Sequence, residues 1–189
     1  MKNCIRYSPR ASLAIVGMKM RQMGIWEMIG QRVTIQQKTV VHTPLEKLQD
    51  AFINNMAGGQ GIVEVNQRVK PDAALSAAFG RERCADQSGV STTLSACQAK
   101  DVAQMRQAMP DIYRRYGAGY GHHYGRVWQL LDVDMNGLPA GRQGEGVEKG
   151  YFAKQKNKRG RQLGVFMPRC TMKLSANACI VAKPNSIAA

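Results

Sequence analysis

Residues 127 to 146 read VWQLLDVDMNGLPAGRQGEG. The run opens on β-forming residues and places Asp132 and Asp134 at its far end. On a strand alternate side chains share a face, so Trp128, Leu130, Asp132 and Asp134 point one way. Val127, Gln129, Leu131 and Val133 then point the other way. The two carboxylates are about 6.6 Å apart along such a strand. At an effective dielectric of 20 they repel by roughly 2.5 kcal/mol before any burial. A cation beside them would relieve that repulsion, and a hard divalent ion such as Mg2+ takes one or two carboxylates with phosphate oxygens completing its shell. The alternative is a strand end in water, where solvent and salt screen the pair.

Upstream the pattern is helical. Thr43, Pro44 and Glu46 supply an N-cap, a first-turn proline and the third residue of a capping box. Leu45, Leu48, Phe52 and Met56 follow on one face, and Gly58-Gly59 ends the segment. A second period runs from Asp101 through Val102, Met105, Met109, Ile112 and Tyr116, with Pro110 expected to kink or divide it. The glycine-rich GAGYGHHYG, residues 117–125, then marks a boundary, and His122 and His123 within it read as solvated loop side chains. The sequence therefore predicts an α+β chain with a helical region over 1–116 and a linker over 117–126. Strands follow over 127–164, and 165–189 form a divergent tail.

The charge balance bears on partners. The 189 residues carry 27 Lys+Arg against 13 Asp+Glu, a net +14 with pI near 9.9, so polyanions are the natural ligands. From Lys149 to the C-terminus there is no acid at all, and the first 26 residues are likewise basic without acids. Cys4, Cys84, Cys97, Cys170 and Cys179 are odd in number and widely spaced, which suggests neither a disulfide framework nor a zinc site and fits a reducing cytoplasm. The apolar run ASLAIVGM is too short to span a bilayer, so no membrane association is expected.

Between the helical segments, Ala85, Gly89, Val90 and Ser91 fall where a helix-turn-helix places its small residue and its turn, with Ser91 to Cys97 as a short second helix. Leu94 is one residue early for the expected core position, and a plain helical hairpin fits the spacing as well. If the segment binds DNA, Thr92, Thr93 and Gln98 would be exposed to the groove, with Arg81 and Arg83 near phosphates. Further on, KGYFAKQKNKRGRQLG places Lys154, Lys156 and Lys158 alternately along one strand face. Asn157 to Gly160 can turn a hairpin there, and Arg159 and Arg161 extend the cationic edge.

Two families share an apolar strand followed by paired aspartates. LLDVDMNG is similar to the motif of haloacid-dehalogenase-type phosphatases, which would make Asp132 a nucleophile and Asp134 a general acid. That chemistry needs a further acidic pair downstream, and no acid follows Glu148. The stronger likeness is longer. AGGQGIVEVNQRVKPDAALSAAFGRERCADQSGVSTTL (57–94), WQLLDVDMNGLPAG (128–141) and KGYFAKQKNKRGRQLG (149–164) resemble the N-terminal half of bacterial insertion-sequence transposases of the DDE class. The similarity covers about residues 40 to 164.

That resemblance implies a helical DNA-binding region followed by the incomplete start of an RNase H-like α/β catalytic domain. Asp134 would be the first metal-binding acid, with Asp132 beside it as a supporting or alternative ligand for Mg2+. Element ends and target DNA would be the partners, and a homodimer is one arrangement open to such a protein. The chain departs from the family after Asp134. Its remaining acids, Glu145 and Glu148, are too close to supply the other aspartate and the glutamate of the triad. The tail past Gly164 reads as the product of a frame change or a broken element. The expectation is a truncated chain that binds DNA without cutting it, and a stand-alone basic nucleic-acid-binding protein is the main alternative.

Overall fold

The computed structural model of the protein describes residues 7–38, 41–117, 120, 130–144, 146–150, 152 and 157–169. It is an α+β chain of two compact units, Met1–Arg115 and Tyr116–Ala189. The first unit is helical: α1 (Ala11–Gln22), α2 (Ile25–Gly30), α3 (Pro44–Met56), a π-helical turn (Val65–Val69), α4 (Ala73–Ala78), α5 (Gln87–Ala96) and α6 (Ala99–Tyr116). Among the described residues no helix is long and apolar enough to cross a membrane.

Helix α3 starts where its sequence signals it. The Thr43 hydroxyl accepts the Glu46 amide at 3.2 Å and the Thr43 amide donates to the Glu46 carboxylate at 2.7 Å, a complete capping box. The helix closes before Gly58, whose φ of +81° suits a residue without a side chain. Leu45, Leu48 and Phe52 pack partly buried as their stripe predicts, whereas Met56 is exposed. The deepest face lies elsewhere: Gln49, Asp50, Ile53 and Asn54 are buried. Neighbours cover α3 on more than one side, so polar residues of the helix are enclosed. Gln49 Nε2 donates to the Phe79 carbonyl at 2.7 Å and Asn54 Nδ2 to the Gly61 carbonyl at 3.1 Å.

Three apolar clusters fill the unit. Leu13, Ile53, Val69, Leu75 and Phe79 form one, Ile25, Ile29, Val33, Ile35 and Ala108 a second, and Val65, Ala85 and Val90 a third. Edge-on ring pairs link the first two, Trp26 to Phe52 at 5.5 Å and Phe52 to Phe79 at 6.4 Å. The unit also holds a buried ionic clamp. Arg81, in the turn between α4 and α5, is only 4% exposed, and Asp50 is 0% exposed. The guanidinium grips Asp50 through Nε at 3.0 Å and Nη2 at 3.2 Å, and the Ala85 amide adds a third bond to Asp50 at 2.7 Å. Arg81 Nη1 also donates to Glu46, so the capping glutamate serves both the helix start and the clamp.

Two helices differ from expectation. Gly89 and Val90 lie inside α5 and form no turn; the helix begins at Gln87 because the Asp86 carboxylate caps it, accepting the Ser88 amide at 3.0 Å. Helix α6 runs on through Pro110 and is not divided there. Its buried face is also rotated: Met105, Ala108 and Ile112 meet the core while Val102 and Met109 are exposed. The cause is the stretch 32–35, which follows α2. Arg32 pairs with Asp111, the Thr34 amide donates to Gln104, and Val33 and Ile35 insert beside Ala108.

The second unit holds an antiparallel sheet in the order β1-β3-β2, from β1 (Leu130–Pro139), β2 (Glu148–Lys149) and β3 (Arg159–Arg169). The register of β1 and β3 runs from Leu130 opposite Arg169 to Pro139 opposite Gly160. Phe152 is buried against this pair, and a Cβ on Gly137 or Gly160 would overlap its ring. Residues 118–119, 121–129 and 170–189 fall outside the description, and with them His122, His123 and most of the expected tail.

Asp50→Ala strands a buried guanidinium, so the unfolding free energy of the helical unit should fall by about 3–5 kcal/mol. Urea denaturation followed by circular dichroism checks this as a lowered midpoint at unchanged slope. A loss below about 1 kcal/mol, the range of exposed pairs, would contradict burial of the clamp.

Candidate functional site

Strand β1 carries the acidic pair. Asp132 lies opposite Met167 and Asp134 opposite Val165, and directly opposed residues share a face of the sheet. Asn136, opposite Leu163, continues the same face, and Arg161 enters it opposite Leu138. Each aspartate thus lies opposite an apolar residue of β3, and the β3 cations in register with β1 on that face are Arg161, opposite Leu138, and Arg169, opposite Leu130. Asp132 is half-buried and Asp134 exposed. Two hard oxygen donors on one strand face are compatible with Mg2+, which needs only one or two carboxylates beside water and phosphate oxygens. Among the described residues no group of three or more His, Cys, Asp or Glu gathers in a metal-binding arrangement.

The basic strand is partly visible. Lys158 and Arg161 are exposed and Arg159 is half-buried, while Lys154 and Lys156 lie outside the described residues. Asn157 takes a positive φ of 60°, the backbone of a turn that asparagine tolerates, and β3 begins two residues later. By alternation Arg159 and Arg161 share the carboxylate face of the β1-β3 pair.

In the helical unit the expected contact residues divide. Arg83, Thr92 and Gln98 are exposed. Arg81 is not on the surface near phosphates: its donors are consumed by Asp50 and Glu46, 31 and 35 residues earlier in the chain. Thr93, expected to be exposed to a groove, is 0% exposed, and its hydroxyl donates to the Gln37 side chain and the Gly89 carbonyl. Helix α5 starts four residues before the expected second helix, so Thr93 falls on its inner face three residues after buried Val90. Sequence reasoning missed Asp50 altogether. Its signal was present: Glu46 and Asp50 are carboxylates four apart on one helix face, a repulsive arrangement unless a cation joins them.

The half-buried thiol of Cys84 is no nucleophile. Burial, reinforced by nearby Asp50, pushes it up to about 12, far above the range where a thiolate forms at neutral pH. Comparison with known protein families, with curated proteins and with solved structures finds no match to this chain.

The cap that sets α5, and with it Thr92 and Gln98, makes the unit acid-sensitive. The Ser88 amide, then the Lys70 ammonium, the Ser88 hydroxyl and the Asn66 amide hold the Asp86 carboxyl well below the usual carboxylate range. A depressed acid stabilises the fold above its unfolded pKa, and that contribution disappears as pH falls through the folded value. The melting temperature should therefore drop on acidification below the ordinary aspartate range. Asp86→Asn, which keeps a capping oxygen but cannot titrate, should show a shallower drop in melts recorded across acidic pH. Identical acid profiles for the two proteins would remove Asp86 from the account.

Proposed function

We propose that this chain is a nucleic-acid-binding part of a DNA transposition protein of the DDE class. In this reading the helical unit binds DNA, and β1 and β3 are the first strands of an RNase H-like core. The observation that carries it is the placement of Asp132 and Asp134 on one face of β1 with Arg161 on the same face, in a chain of net +14. Two carboxylates that repel each other suit a divalent cation, and cationic side chains beside them suit a phosphodiester backbone. The long stretches 57–94, 128–141 and 149–164 add the family likeness.

Asp134 and Asp132 would hold Mg2+, which when bound would polarise a phosphodiester and stabilise charge on the attacking and leaving oxygens. The protein's own residues bind and orient. Arg161, Arg159 and Lys158, with Lys154 and Lys156 of the same basic segment, neutralise backbone phosphates. Arg83, Thr92 and Gln98 contact DNA from the helical unit. An intact relative would hydrolyse a strand at the element end and join its 3′-hydroxyl to target DNA. That reaction needs an aspartate and a glutamate which no residue after Asp134 supplies here, since Glu145 and Glu148 are too near in sequence. The chain as given binds DNA and does not cut it.

The test uses the purified full chain and duplex DNA. Binding should weaken steeply with salt, by about 0.9 log unit per phosphate neutralised for each decade of salt. Mg2+ should strengthen binding, an effect abolished by Asp134→Asn, and supercoiled plasmid should stay un-nicked. Affinity indifferent to Mg2+ and to Asp134→Asn would instead identify a stand-alone nucleic-acid-binding protein. Hydrolysis of a small phosphomonoester, lost on Asp132→Asn, would identify a phosphatase.

A further inference from the structure

We infer that Arg21 and Arg83 form a phosphate-backbone contact on the turn between α4 and α5, the place that sequence alone assigned to Arg81. This inference rests on the DNA-binding reading of the helical unit. Glu46, Asp50, Glu64, Asp72, Asp86 and Asp111 are each ion-paired within the unit, to Arg81, Arg68, Arg10, Lys70 and Arg32. Arg21 and Arg83 are exposed, and among the described residues neither has a carboxylate within ion-pair distance.

Their placement then matters. Arg21 lies in the last turn of α1, and its stem runs over the turn: Cδ and Nε would be 3.3 and 3.4 Å from a Cβ built on Gly80. Arg83 stands three residues further along the same turn. Beneath them the turn is fastened at both ends. The Arg81 amide donates to the Ser76 carbonyl at 2.9 Å, and the Ala85 amide to buried Asp50 at 2.7 Å. The Arg81 side chain anchors the middle. Two uncommitted guanidiniums therefore rise from backbone that is already fixed, which lowers the ordering cost of a contact. Guanidinium forks also match phosphate oxygens in pairs. Glu82 is the single exposed acid between Arg81 and Arg83.

Arg21 has a second possible role, since a cation in the last turn complements the helix dipole of α1. A stability role and a phosphate role separate in the salt dependence of binding. The experiment measures the affinity of the full chain for a random-sequence DNA duplex over a salt series, for wild type, Arg21→Gln, Arg83→Gln and Arg21→Lys. Melting temperatures confirm that each variant is folded. Each glutamine variant should flatten the log-log salt slope by about 0.9, one phosphate contact, while Arg21→Lys keeps the wild-type slope. Wild-type binding with slopes unchanged in both glutamine variants overturns this inference and leaves the DNA-binding reading intact. Absence of salt-dependent binding by wild type overturns both.

Discussion

The helical unit depends on a guanidinium placed where water cannot reach it. Burying Arg81 alone would cost several kcal/mol, and the cost is offset only because Asp50 meets it with both oxygens. The same carboxylate takes the Ala85 amide, so one side chain of α3 holds the turn between α4 and α5 at two points. Glu46 joins from one helical turn earlier while capping α3 through Thr43, and Gln49 fastens the Phe79 carbonyl. The cap of one helix, the path of the next turn and the start of α5 are thereby linked through three polar residues on α3. Apolar packing surrounds this link without determining its geometry, since hydrophobic contact is non-directional and the fork of Arg81 is not.

What the sequence revealed and what it hid follow from that division. The start of α3 was legible because Thr43, Pro44 and Glu46 act within four residues of one another. The strand at Leu130–Pro139 was legible because its β-formers and alternation are local as well. The inner face of α3 was not, because periodicity ranks residues by hydrophobicity and the most enclosed positions there are Gln49, Asp50 and Asn54. The rotation of α6 was hidden for a similar reason: the stretch 32–35 that covers its Ala108 face lies about seventy residues away in the chain. At α5, a cap at Asp86 outweighed the turn preference of Gly89.

The two carboxylate pairs of the chain illustrate how far one rule carries. Paired acids on a shared face call for a cation, and on the helix that cation is Arg81, drawn from a distant turn. On β1 the opposed residues are Met167 and Val165, and Asp134 is exposed. In the sequence only the strand pair was read this way, as a candidate Mg2+ site. Only the tertiary arrangement assigned Arg81 to the first, removing it from the surface where the sequence had put it, together with Thr93. Arg83, Thr92 and Gln98 stayed outside because no internal partner claims their side chains as fully.

The central claim is that the turn between α4 and α5 is a fixed platform because Asp50 and Arg81 hold it from below. Native-state hydrogen exchange at the Ala85 amide tests this most directly, since that amide donates to the buried carboxylate and to no helix ladder. Exchange as slow as that of the most protected amides of α3, opening only with the whole unit, is the predicted result. Exchange at the rate of a freely solvated loop, with α3 still protected, would contradict it.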